Sequence, residues 1–186
     1  MNNNRKDNTD RALTVTGVQI DGGMPRDKAI QRGREHAQTY RAAAAHLNRA
    51  IDALNSKDYL RAIGEFQQAL QHNRESAEGH FYLGLTYFMV GNYGEAAASY
   101  KRAIVCEPND PMIHLNLGIV YQLQEQYDEA IGAYQRSIAL SPNNAEAYSR
   151  LGSVYTAQGM RQEAVAAYKN AVRIKLLADT KSQSES

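Results

Sequence analysis

The sequence predicts an all-α chain built from repeated helical hairpins, and three observations predict it. First, HFYLGLTYFMVGNYGEAAASYKRAIVCEPND, HLNLGIVYQLQEQYDEAIGAYQRSIALSPNN and YSRLGSVYTAQGMRQEAVAAYKNAVRIKLLA align without gaps at a period of 34 residues. Second, small and apolar residues recur within each segment at helical spacing, as at Leu117, Gly118 and Tyr121 and then at Ala130, Tyr134 and Ser137. Third, Pro108 and Pro142 stand at the same point of the period, where a residue that cannot continue a helix ends one.

In chain order, residues 1–24 are expected to form a flexible segment containing RALTVTGVQI, a short β-prone apolar run before an Asp-Gly-Gly turn. Residues 25–42 read as a basic helical extension opened by Pro25, which suits the first turn of a helix. Four units then follow over 43–178, bounded as 43–76, 77–110, 111–144 and 145–178. The first is degenerate but keeps Tyr59, Ala62, Phe66 and Ala69 in register. In each unit a short turn such as QEQYD separates two helices, and Asn or Asp beside the prolines can cap the next helix. Gly84, Ala96 and Ala103 allow two helix backbones to approach, with Tyr87 and Tyr100 filling the space beside them. Residues 179–186 are expected to be a disordered tail.

Composition sets the broad class. An apolar fraction of 43% and a charged fraction of 22% are those of an ordinary globular protein, and 186 residues suffice to bury a core. No run of eighteen apolar residues exists, so no membrane insertion is expected. Eight Lys and Arg against five Asp and Glu give residues 1–42 a charge of +3, three against seven give 77–144 a charge of −4, and five against two give 145–178 a charge of +3. That polarity lacks the dense basic stripe of a phosphate-backbone binder. Cys106, the one cysteine, excludes an internal disulfide and is expected to be a small packed hydrophobe in a cytoplasmic protein.

The recurring Leu83, Leu117 and Leu151, Gly84, Gly118 and Gly152, Tyr87, Tyr121 and Tyr155, Ala96, Ala130 and Ala164, Tyr100, Tyr134 and Tyr168, and Pro108 and Pro142 give a pattern that resembles the tetratricopeptide repeat family. The resemblance covers about three quarters of the chain. It departs at His80, His114 and Tyr148, where the family often has Trp, and at Leu176 in place of the last proline. It implies a right-handed α-solenoid whose first helices line a concave groove, and a protein that binds other proteins without catalysis.

Helical periodicity divides the first helix of unit two into two faces. His80, Leu83, Gly84 and Tyr87 point toward the unit's own second helix, while Phe81, Tyr82, Leu85, Phe88 and Met89 fall on the groove side. The same side carries Met112, Leu115, Asn116, Ile119, Gln122 and Leu123 in unit three, and Leu47, Ile51 and Leu54 in unit one. In unit four it turns polar, with Ser149, Arg150, Ser153, Thr156 and Ala157. These residues form the candidate partner-binding site. Its expected ligand is a protein or peptide segment, either an amphipathic helix or an apolar extended strand.

Other chemistry is poorly supported by the residues. The family's clamp for a C-terminal carboxylate would need Lys, Asn and Lys where Phe81, Leu85 and Glu146 stand, so only Asn116 and Arg150 match. His46, His80 and His114 recur in step, but equivalent positions in stacked units lie about 10 Å or more apart, whereas zinc needs each nitrogen at about 2.0–2.1 Å. No metal or other cofactor is expected. There is no GxSxG, phosphate-cradling glycine loop or HExxH, and Glu95, Glu129 and Glu163 recur on outward positions as solvated charges. A second reading is self-association, with RALTVTGVQI or the apolar stripe of the last helix (Val165, Val172, Ile174, Leu176, Leu177) covering another copy. A third and weaker one is a nucleic-acid accessory role for the basic helix after Pro25.

Overall fold

The computed structural model describes residues 25–184, which form eight helices and no strand. They are α1 (Arg26–Asn55), α2 (Tyr59–His72), α3 (Ala77–Met89), α4 (Tyr93–Cys106), α5 (Pro111–Leu123), α6 (Tyr127–Leu140), α7 (Ala145–Ala157) and α8 (Arg161–Ser184). Contacts divide the chain into two compact units, Met1–Ala42 and Ala43–Ser186. The described part of the first is helical from Arg26, with Arg26, Lys28, Arg32, Arg34 and Arg41 all exposed. RALTVTGVQI lies outside the described residues.

The second unit is a helical repeat solenoid. Its first helices end at Asn55, Met89, Leu123 and Ala157 and its second helices begin at Tyr59, Tyr93, Tyr127 and Arg161, in steps of 34 residues. Consecutive helices pack on one another from α2 to α8, and first helices also touch across the array, α3 with α5 and α5 with α7.

The helix ends explain why the hairpins form where they do. Ser76, Asn92, Asp110 and Asn144 accept hydrogen bonds from the backbone N–H groups of Gly79, Glu95, Met112 and Ala147, satisfying donors that the first turn leaves open. Glu107 and Ser141, each followed by proline, are held outside the helical region at φ −138° and −137° and end α4 and α6. No such stop follows Leu176, and ADTKSQS contains neither proline nor glycine. Residues 179–184, expected to be a disordered tail, accordingly continue α8 to Ser184.

Inside each hairpin the turn depends on one left-handed residue. Lys57, Gly91, Glu125 and Gly159 have φ of 62°, 76°, 58° and 75°, again 34 residues apart. The residue that follows it closes the helix end, as when the Asn92 N–H donates to the Tyr87 carbonyl at 2.9 Å and that of Gln126 to Tyr121 at 2.9 Å. Glycine adopts this conformation freely, whereas a side chain makes it cost about 1–2 kcal/mol.

The core is built on a glycine facing a tyrosine. A Cβ at Gly84 would lie 2.9 Å from the ring of Tyr100, one at Gly118 2.6 Å from Tyr134 and one at Gly152 2.9 Å from Tyr168. Tyr100 and Tyr134 are fully buried, so neither ring can yield. Around them Ala96, Ala103, Ile113, Leu117 and Val120 close one cluster, and Ala130, Leu115, Ala147, Leu151 and Val154 the next.

Two stability measurements check this account. Gly118→Ala should lower the urea unfolding free energy by about 1–3 kcal/mol through overpacking; the same change at Gly132, where nothing lies within 4 Å, should raise it by up to about 1 kcal/mol. Glu125→Gly should stabilise the protein by about 1 kcal/mol, whereas Gly91→Ala should destabilise it by a similar amount; equal effects at the two positions would refute the left-handed turn.

Candidate functional site

The face expected to bind a partner is formed by α3, α5, α7 and the part of α1 from Ala43 onward. The fold-facing set behaves as periodicity requires. His80, Leu83 and Gly84 are buried and Tyr87 is half-buried. The opposite set is neither free nor uniform, because many of its side chains also contribute to packing between helices.

Phe81 lies with its ring 5.8 Å from that of Tyr100 and 5.4 Å, edge-on, from Tyr82, while Tyr82 stacks 6.0 Å over Phe66. Phe88 tilts against Tyr93 at 5.9 Å. Leu47, Ile51 and Leu54 lean on the cluster of Ala50, Phe66 and Leu83, and Ile119 leans on that of Tyr134 and Leu151. All of these, with Leu85, remain half-buried and keep some surface open. Met89, Met112 and Leu123 are the open members, 51%, 46% and 49% exposed. Leu115 corrects the expectation. It is 2% exposed and belongs to the core with Ala130 and Tyr134, because α7 packs directly against its side of α5.

The polar end of the face is a cleft of about 650 Å³ lined by Gln122, Glu146, Ser149, Arg150, Ser153 and Lys175, with Tyr168 beneath. Arg150 is tethered to Glu146, its Nε and Nη2 donating to Oε1 at 3.3 and 3.2 Å. The acid on that helix thus offsets the cation that the clamp reading would use. Asn116 donates from Nδ2 to the Met112 carbonyl of its own helix at 2.8 Å. Gln122 ties three helices together, accepting from the Tyr134 hydroxyl at 2.8 Å and donating to Ser153 Oγ at 3.3 Å. Lys175 joins the cleft from α8; lying seven residues after Tyr168, it shares that residue's face, a signal the sequence carried.

One repeat earlier, Phe88 stands where Gln122 would be. The Tyr100 hydroxyl, buried beneath it, has no hydrogen-bond partner among the described residues. Burial raises the pKa of both Tyr100 and Tyr134 well above the usual phenol value, so both hydroxyls stay protonated. The exchange of Gln for Phe makes the floor apolar in one unit and polar in the next.

The three in-step histidines do not form a centre. His80 Nε2 donates to the Arg74 carbonyl at 2.9 Å and His114 Nε2 to that of Pro108 at 3.0 Å, each fastening a first helix to the turn six residues before it. His46 instead pairs with Glu65 at 2.7 Å, and hydrogen bonding from His46 together with Arg49 lowers the Glu65 pKa against the opposing effect of burial. Among the described residues no group of three His, Cys, Asp or Glu could hold a metal ion. Cys106, expected to be packed, is exposed at the end of α4; partial burial and the charge of Glu75 raise its pKa and keep it a thiol.

His80 has a further consequence. Burial, aided by the charge of Arg102, lowers its pKa below the ordinary 6.5 despite the bond to Arg74. The unfolded chain then binds the proton more readily than the folded one. The stabilisation is complete above the ordinary imidazole value and is lost as the pH falls through the lowered one. Urea melts should show stability falling from pH 7.5 to 5, and falling less in His80→Tyr, which places the residue of Tyr148 at its equivalent position; an equal fall in both would remove His80 as the cause.

Comparison with known proteins agrees with this architecture. Models of the tetratricopeptide repeat match residues 47–111 and 110–176. Bovine nuclear autoantigenic sperm protein is 38% identical over 78 residues, which are 38% of this chain and 10% of the relative. Mouse superkiller complex protein 3 is 35% identical over 86 residues, 46% of this chain and 6% of the relative. The chain thus matches about a tenth or less of these relatives. Among solved structures, a crystal structure of MamA superposes with a TM-score of 0.73 at 25% identity, covering 88% of this chain and 99% of that one. The first tetratricopeptide domain of Spaghetti (RPAP3), solved with the HSP90 peptide SRMEEVD, gives 0.63 at 18% identity over 64% of this chain and 95% of that one. With the helical hairpins, the glycine–tyrosine register and both repeat models in agreement, the chain belongs to the tetratricopeptide repeat family.

Proposed function

We propose that the array is a non-enzymatic interaction scaffold that holds one segment of a partner protein, helical or extended, along its first-helix face. The observation that carries this reading is the pairing of an open apolar strip, Met89, Met112 and Leu123 with the edges of Phe81, Phe88 and Ile119, with a polar cleft at its end. Apolar side chains of the partner would seat on the strip. Ser149, Ser153, Gln122 and Lys175 would accept or donate hydrogen bonds to its backbone or to one acidic group.

The solved complex of the Spaghetti (RPAP3) domain with SRMEEVD supports the general mode, since a related fold there takes a peptide. This face differs in kind from a carboxylate clamp. Phe81 and Leu85 supply greasy surface where a clamp needs polar groups, and the Arg150 guanidinium is paired with Glu146. Selection is therefore expected to rest on apolar anchors spaced along the segment. Among the described residues no helix is long and apolar enough to cross a membrane, and the scaffold is proposed to act in the cytoplasm.

The test uses the most exposed anchors so that folding is spared. Affinity capture with wild type beside Met112→Glu/Leu123→Glu, read by quantitative mass spectrometry, should show at least a tenfold loss of one binding protein while circular dichroism stays unchanged. Retention of every captured protein by the variant would refute the groove.

A further inference from the structure

In the array each second helix is covered by the first helix that follows it. Ile113, Leu117 and Val120 of α5 cover α4, and Ala147, Leu151 and Val154 of α7 cover α6. α8 packs on α7, but among the described residues no first helix follows to cover its outer face. Its sequence Ala164-Val-Ala-Ala-Tyr-Lys-Asn-Ala171 repeats Ala96-Ala-Ala-Ser-Tyr-Lys-Arg-Ala103 of α4, so it presents the same kind of surface. Val172 and Leu176 are 56% and 60% exposed along an apolar trough that Val165, Tyr168, Lys169 and Arg173 complete.

The array itself shows what fits such a trough. Gln67 of α2 donates to the Tyr87 hydroxyl of the covering helix at 3.1 Å. Lys101 of α4 sets its ammonium 5.4 Å from the ring centre of Tyr121, and Gln135 of α6 donates to the Tyr155 hydroxyl at 3.2 Å. Lys169 is the next member of this series and has no partner among the described residues. A covering helix would thus carry an apolar stripe spaced like Ile113, Leu117 and Val120, with an aromatic residue placed like Tyr121 over the Lys169 ammonium.

Charge decides whose helix it is. Two α8 helices laid face to face would crowd Lys169 and Arg173 of both copies together. The leading end of the array fits no better, since the positions on α1 that correspond to Leu117 and Val120 are Arg49 and Asp52, both exposed. The remaining first helices, α3, α5 and α7, are already packed between second helices. We propose that the α8 trough docks an amphipathic helix of a different protein, with an aromatic residue over Lys169 and carboxylates flanking its apolar stripe toward Arg173. This surface adjoins the polar cleft at Tyr168 but shares no residue with the apolar strip of the first helices, and would let the scaffold hold a second partner.

The probe is a labelled synthetic peptide of residues 110–124, the covering helix α5 excised, titrated into the full chain by fluorescence anisotropy. Saturable binding is expected, weakened at least tenfold by Val172→Glu/Leu176→Glu and unchanged by Met112→Glu/Leu123→Glu in the protein, which separates this proposal from the groove. Peptide Tyr121→Ala should weaken binding to wild type but not to Lys169→Ala. Absence of saturable binding, or binding indifferent to the α8 changes, overturns the proposal. Light scattering that finds a wild-type dimer dissociated by Val172→Glu/Leu176→Glu also overturns it, by showing that a second copy covers the trough.

Discussion

Close approach of a glycine-bearing first helix to the tyrosine ring of its partner helix is the constraint from which the rest of the array follows. At 2.6–2.9 Å from a Cβ that is not there, the rings of Tyr100, Tyr134 and Tyr168 occupy volume that any other residue at Gly84, Gly118 or Gly152 would claim. Because a packed interior cannot adjust by even one methyl group without cost, this contact sets the separation of the two helices in a hairpin. The 34-residue period then repeats that separation down the chain.

That spacing has a consequence on the opposite side of each first helix. With first helices close enough to touch, α3 to α5 and α5 to α7, their outward side chains must serve both the neighbouring helix and the solvent-facing surface. Where the side chain lies toward the next repeat, as at Leu115, it is absorbed into the core; where it lies away, as at Met112, it stays open. Single exchanges at one register then tune the surface. Phe88 leaves the Tyr100 hydroxyl without a partner, whereas Gln122 satisfies Tyr134 and reaches on to Ser153. The face thus passes from apolar to polar along the array while the scaffold beneath remains the same.

The polar features that looked most like chemistry in the sequence turn out to secure geometry. His80 and His114 fasten helices to preceding turns through backbone carbonyls, and Arg150 spends its charge on Glu146 one helical turn away. The surfaces left without internal partners are apolar: the strip on the first helices and the trough on α8. Open apolar area on a packed array is the kind of surface by which one protein recognises another.

Much of the fold was legible in the sequence, because the determinants of a hairpin are local: the 3.6-residue stripe, the capping Ser, Asn and Asp residues, the prolines, and small residues opposite aromatic ones. The left-handed turn position was only half legible, visible at Gly91 and Gly159 but hidden at Lys57 and Glu125. The candidate site was legible as a face but not residue by residue. Periodicity gives the angle of a side chain around its own helix; it cannot give the distance to the next one, and that distance buried Leu115, left Met112 open and brought Lys175 of α8 into the polar cleft. By itself the sequence determined the repeat and its two faces. Only the tertiary structure decided how much of each face remains for a partner, because burial is a property of packed neighbours rather than of residue type.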